Sequence, residues 1–245
     1  MHASYIAASG LCALVLPGVL AMLAGSAGSA AAAAPTAARA GASARIQVTG
    51  SVIPGACTVQ LASNGTVDYG RIPRTDITDD EPFRLAVRNI QFTVGCKGPM
   101  TIKVSARDEN PGTAVLGLVP GEDHFAFGLG RVNDTNIGQF RIQALPGTFF
   151  GQDASGHTAA VDILHASASD SANARQPSWV RTERPYFWSS GERRQSFAEP
   201  GTLVPGSYRS VTGAFQIETY ITFRSQLPDG NIPLAGLATI EIVYK

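Results

Sequence analysis

Apolar and polar residues alternate with a period of two along much of the chain. Ile46 and Val48 flank Gln47, and Val52 keeps their phase. The same rhythm runs through Ile90–Val94, Ile102–Val104, Phe125–Phe127, Phe140–Ile142 and Phe215–Phe223, and it returns in Ala238–Tyr244. This period marks strands with one buried face, and β-branched and aromatic residues fill it. Turn-forming clusters separate the stretches: Ser63-Asn64-Gly65, Asn110-Pro111-Gly112, Val119-Pro120-Gly121, Leu145-Pro146-Gly147, Val204-Pro205-Gly206 and Pro228-Asp229-Gly230. No stretch carries the 3.6-residue period of an amphipathic helix over three or more turns. The pattern predicts an all-β protein, a sandwich of two antiparallel sheets.

One region departs from the rhythm. Residues 151–201 are polar and read as long loops, with one or two strands around Val161–Leu164 and Tyr186–Trp188. Both tryptophans of the chain, Trp179 and Trp188, lie here. Arg181-Thr182-Glu183-Arg184-Pro185-Tyr186-Phe187-Trp188 mixes basic and aromatic residues. Such a mixture suits contact with a carbohydrate or a protein partner, and equally a cross-strand aromatic cluster with a solvated arginine rim. Trp179, Tyr186 and Trp188 are the candidate ligand contacts.

The first 34 residues contain no Asp, Glu, Lys or Arg. Leu11–Leu23 is a short apolar core, and small residues follow it. This is the pattern of a secretory signal peptide, residues 1–40, cleaved after Ala34 or Ala40. It is shorter than the roughly 20 apolar residues of a membrane span, so no span is expected in the mature form. Cys12 would leave with the signal. Cys57 and Cys96 then remain, and two cysteines in an exported chain most simply form one disulfide, two buried thiols being the alternative. The 19 basic and 19 acidic residues balance to a net charge of zero, which argues against nucleic acid as a partner.

Catalytic signatures are absent. No G-x-S-x-G elbow, H-E-x-x-H pair or P-loop occurs. His124 sits in Gly121-Glu122-Asp123-His124, a combination that suits a metal site or acid–base work but is more often a polar turn entering a strand. His157 and His165 share no metal-ligand spacing with each other. The expectation is no enzyme, no metal and no cofactor.

Four features together carry a family likeness. Thr49-Gly50-Ser51-Val52-Ile53-Pro54-Gly55-Ala56-Cys57-Thr58-Val59 resembles the first strand of bacterial pilins assembled by the chaperone–usher route. Cys96 follows Phe92-Thr93-Val94, as the second pilin cysteine follows a later strand. The chain ends on an alternating strand with a penultimate Tyr244. Phe127-Gly128-Leu129-Gly130, Asn136-Ile137-Gly138 and the stretch Pro233–Ile240 are similar to segments of a branch of larger fimbrial-like proteins of poorly defined function. There are two departures. Pilins carry a glycine about fourteen residues from the end, where this chain has Ile232 and places Gly230 two residues earlier. The chain is also longer than a major pilin, mostly through 151–201.

The resemblance implies an immunoglobulin-like sandwich lacking its last strand, spanning 50–245 as a single domain behind a 41–49 donor arm. In that family a periplasmic chaperone lends the missing strand. At the outer-membrane usher, the arm of the neighbouring fimbrial subunit then replaces it. Here the arm would present Ala44, Ile46 and Val48 on one face, although Ile46 and Val48 also suit the start of the molecule's own first strand. The terminal strand would present Ile240, Ile242 and Tyr244 to the groove, with the carboxylate of Lys245 gripped by the chaperone. The implied role is a structural or tip subunit of a cell-surface fimbrium that contributes to adhesion, exported through the periplasm. The alternative is a self-contained secreted β-sandwich that binds a carbohydrate or protein ligand.

Overall fold

The alternating stretches become strands because one face of each meets a shared core while the other meets water or a covering loop. A computed structural model describes residues 57–167 and 178–245, all within one compact unit, Ser51–Lys245. The strands are β1 (Cys57–Leu61), β2 (Phe83–Arg84), β3 (Arg88–Met100), β4 (Ile102–Asp108), β5 (Phe127–Gly128), β6 (Arg131–Val132), β7 (Thr135–Asn136) and β8 (Gly138–Ala144). They continue with β9 (Phe150–Gln152), β10 (Thr158–Ala160), β11 (Asp162–Ser167), β12 (Val180–Arg181), β13 (Arg193–Ala198), β14 (Tyr208–Ile221) and β15 (Ala238–Tyr244). Every ladder between them is antiparallel. The helical turns among the described residues are short 3-10 turns.

The first sheet runs β1–β3–β14–β8–β5, with β2 and β9 also on β14 and β10 on β9. The second runs β12–β11–β13–β4–β15, and β6 and β7 form a small separate hairpin. Their apolar faces meet in one core, giving the sandwich-like arrangement that the alternation predicts. Ile90, Phe92 and Val94 of β3 and Phe215 and Ile217 of β14 face Ile102, Val104 and Ala106 of β4 and Phe197 of β13. Five phenylalanines fill the centre. Phe92 lies 4.8 Å from Phe215, Phe149 5.3 Å from Phe197, and Phe187 5.4 Å from Phe215 edge-on. The close approach of Phe149 needs Gly213, since a Cβ there would lie 2.4 Å from the ring.

Cys57 stands opposite Cys96 in the β1–β3 ladder, and the two form the disulfide that the cysteine count predicts. Closing a loop of this length stabilises by roughly 3–4 kcal/mol in the chain-entropy view. It ties the edge strand β1 to the sheet interior.

Three expectations are corrected. Region 151–201 is loop-rich, with β11 where the Val161–Leu164 strand was expected, but it holds more strands than two, since β10, β12 and β13 also lie within it. Phe125–Phe127 is not one strand. Asp123–Phe125 is a 3-10 turn, and only Phe127 enters β5; the Asp123 carboxylate accepts the Gly117 N–H at 2.8 Å, holding the turn compact. Tyr186–Trp188 joins neither sheet as a strand. It belongs to a strap that crosses from one sheet to the other.

The strap explains why the alternation fails there. The Ala144 N–H donates to Pro185 O and the Phe187 N–H to Ile142 O, so the strap covers the stretch of the β8 edge that β5 leaves unpaired. Farther on, the Asp108 N–H donates to Ser189 O, at the end of β4 in the opposite sheet. The Gln195 amide of β13 also donates to Pro185 O, at 2.7 Å. A segment lying between two layers buries consecutive residues, and Tyr186 and Phe187 are 4% and 0% exposed. One long side of the sandwich is thus closed.

Candidate functional site

Among the described residues, the opposite side is open. Its two rims are β1, the edge of the first sheet, and β15, the edge of the second. Among the described residues β1 pairs only with β3, and β15 only with β4. Each strand therefore leaves one row of backbone N–H and C=O groups without a ladder partner, and such an edge is competent to add a strand.

The register fixes which β15 side chains look inward. Ile240, Ile242 and Tyr244 stand opposite Ala106, Val104 and Ile102, all fully buried residues of the inner face. Along β15 half-buried and exposed residues alternate without a break. On the facing rim Leu61 is half-buried too. A core strand with both neighbours present would be covered completely, as β8 is.

Between the rims lies a cavity of about 180 Å³. Its floor is core: Ile90, Ile142, Phe215 and Ile217. Its walls are Leu61, Val67 and Tyr69 on one side and Leu234, Ala238 and Ile240 on the other. The Tyr69 hydroxyl shares a 3.0 Å hydrogen bond with Thr219. Burial raises its pKa, against the opposing effects of that hydrogen bond and of Arg88, so the wall presents a neutral phenol. The site is apolar and elongated, and its free hydrogen-bonding groups are mainly backbone. It suits an extended peptide with alternating apolar side chains.

Other predicted site residues fall elsewhere. The arm residues Ala44, Ile46 and Val48 and the signal peptide lie outside the described residues. Lys245 extends the ladder: its N–H donates to Thr101 O and its C=O accepts from the Thr101 N–H. Tyr186 is buried in the strap. Trp188 stacks on His124 at 5.2 Å, and the Arg193 guanidinium lies 5.3 Å from its ring. Its ring is thus already engaged within the protein. Trp179 is half-buried with the Lys103 ammonium 5.7 Å from its ring.

The histidines do not converge. His124 is in the Trp188 stack, and the His157 N–H closes a turn by donating to Asp153. His165 is on β11 opposite Gln195, where burial and then Arg193 lower its pKa to about 4. Among the described residues no group of three His, Cys, Asp or Glu side chains could hold a metal ion. No helix there is long and apolar enough to cross a membrane.

Sequence reasoning missed a buried charge network on the outer face of the first sheet. Arg141 of β8 is opposite Glu218 of β14 and pairs with both Glu218 and Glu122. Arg84 adds to Glu218 at 3.1 Å and Arg184 to Glu122 at 2.7 Å. The Arg141 guanidinium lies 4.9 Å from the Tyr186 ring and 5.2 Å from the Tyr220 ring. Arg141 and Glu218 occupy the polar phase of their strands, so nothing in the pattern set them apart from solvated residues. The network ties the strap and the Glu122 turn to the sheet.

Comparison with known proteins yields distant similarity. Residues 46–124 match the family described as "Protein of unknown function (DUF1120)". The chain is similar to Protein GltF of Escherichia coli (strain K12), 26% identical over 226 residues, covering 81% of this chain and 87% of that protein. It is also similar to the uncharacterized protein YhcF of the same strain, 24% identical over 213 residues, covering 77% of this chain and 85% of that protein.

Proposed function

We propose that the chain is a structural or tip subunit of a bacterial chaperone–usher fimbria, joined to its neighbours by donor-strand exchange and contributing to adhesion. The observation that supports this reading is the open side of the sandwich. Two edge strands, β1 and β15, flank a groove floored by core side chains, while the opposite side is closed by the strap. A strand laid in the groove would complete the ladders of both rims and cover Ile240, Ile242 and Tyr244. In the proposed cycle a periplasmic chaperone supplies that strand during export. The N-terminal arm of a neighbouring subunit then takes its place at the outer-membrane usher.

The arrangement accounts for each part's task. The disulfide anchors the rim strand β1, which would otherwise be held by a single ladder. The half-buried alternation of β15 gives a donor strand its side-chain register. Unpaired edges are an aggregation hazard, which is what a capping chaperone would suppress.

The test is periplasmic expression with and without the cognate chaperone, followed by thermal unfolding of what is recovered. Recovery only as a one-to-one complex, with the chaperone displaced by a peptide spanning residues 41–50, supports the proposal. A stable monomer that binds neither chaperone nor peptide would sink it and leave a self-contained binding module.

A further inference from the structure

The groove does not end where β1 and β15 end. Beyond β1, Val67 and Tyr69 are half-buried and alternate with exposed neighbours, and Ile72 is half-buried after the turn at Gly70, where φ is +64°. Before β15, Ile232 and Leu234 are half-buried in the same alternating manner. Val67–Tyr69 and Ile232–Leu234 thus share a short strand-like burial pattern yet belong to no ladder. Between them is a second hollow of about 690 Å³, lined by Tyr69, Ile72, Ile77, Ile232 and Leu234 among others. Val67, Tyr69 and Leu234 line both hollows, so the two adjoin end to end as one slot-like run.

Its length can be compared with what would fill it. If extended throughout, Asn231–Tyr244 would span at most about 45 Å at roughly 3.3 Å per residue, the hollows lining it as far as Ile240 and the β15 rim continuing to Tyr244. An arm of residues 41–49 reaches only about 30 Å on the same rise. The alternation of the sequence ahead of β1 is longer than that arm. Even positions from Ala38 through Ile46 and Val48 to Val52 are small or apolar, with Gly50 among them. Odd positions over the same span are Arg39, Gly41, Ser43, Arg45, Gln47, Thr49 and Ser51. That stretch matches the slot in length and in period.

We infer that the occupant of the slot is residues 38–52 of a neighbouring copy of this chain, seated along both hollows rather than along the β1–β15 groove alone. The inference rests on the donor-strand reading above and sets the size of the donor. It also places signal cleavage after Ala34, because cleavage after Ala40 would remove the donor's first residues.

The test compares two labelled synthetic peptides, residues 38–52 and 41–50, for binding to the full exported chain by fluorescence anisotropy. The longer peptide should bind at least tenfold more tightly. Ile232→Asn should bring the longer peptide down to the affinity of the shorter and leave the shorter unchanged, which also shows that the variant is folded. Equal affinities would overturn the extended donor while leaving the proposed function standing. Binding of neither peptide, by a chain that is a stable monomer, would overturn both.

Discussion

Ile240→Ala distinguishes an open side from a closed one. Ile240 looks inward opposite Ala106 and lines the cavity, so part of its surface has no neighbour among the described residues. Phe187 is 0% exposed in the strap on the opposite side. Removing a fully enclosed Phe costs about 3–5 kcal/mol, and an enclosed Ile about 2–5 kcal/mol. With the slot empty, Ile240 lacks roughly half of such an environment, so Ile240→Ala is expected to cost about 1–2 kcal/mol in the chain alone. Seating a strand encloses the side chain and should add at least about 1 kcal/mol, or roughly fivefold weaker binding of the 38–52 peptide. Urea unfolding followed by tryptophan fluorescence, with and without the peptide, reads both quantities. The reasoning is refuted if Ile240→Ala costs as much as Phe187→Ala without peptide and no more with it. β15 would then already be covered on its inner face.

Two further outcomes follow from the buried polar groups. Arg141→Met leaves the buried Glu218 and the half-buried Glu122 without their shared cation, each keeping only a more exposed arginine, Arg84 or Arg184, and should cost about 3 kcal/mol, a fall in Tm of roughly 6–12 °C for a domain of this size. A calorimetric shift below about 2 °C would show that the network contributes little. His165 titrates near pH 4 when folded and near 6.5 when unfolded, so between those values the unfolded chain binds more protons. Its contribution is full above about pH 6.5 and is lost progressively as pH falls toward 4. His165→Gln should flatten that part of a stability–pH curve, and an unchanged slope would remove His165 as the cause.

The long strands were legible because alternation reports a surface with one wet face. β3, β8, β14 and β15 contain the stretches that the pattern singles out, although β14 starts earlier, at Tyr208, and stops short of Phe223. The disulfide was legible by counting cysteines. The strap was not, because a segment between two layers buries neighbouring residues and has no period. β13 was hidden for a related reason: Arg193 and Gln195 occupy inward positions that the pattern assigns to apolar residues. Half of the candidate site was legible, through the β15 alternation. The wall at Val67 and Tyr69 was not, since so short an alternation is indistinguishable from a loop. The Pro228–Gly230 turn, with φ +94° at Gly230, ends just before Ile232 begins the other wall. That is the structural outcome of the glycine displacement noted in the sequence.

The pairing of β4 has a consequence for the order of events as the chain folds. β4 touches β13 through only two register pairs, at Val104 and Lys103, whereas β15 matches it along its whole length. β15 is separated from β4 by most of the domain. A chain threaded out from its N-terminus therefore delivers β4 early and its main partner late. Until β15 arrives, Ile102, Val104 and Ala106 have no permanent neighbour on that edge. The sandwich behaves as a timer: it cannot present a finished groove before nearly the whole chain has emerged, and a chain truncated before β15 would fail this checkpoint.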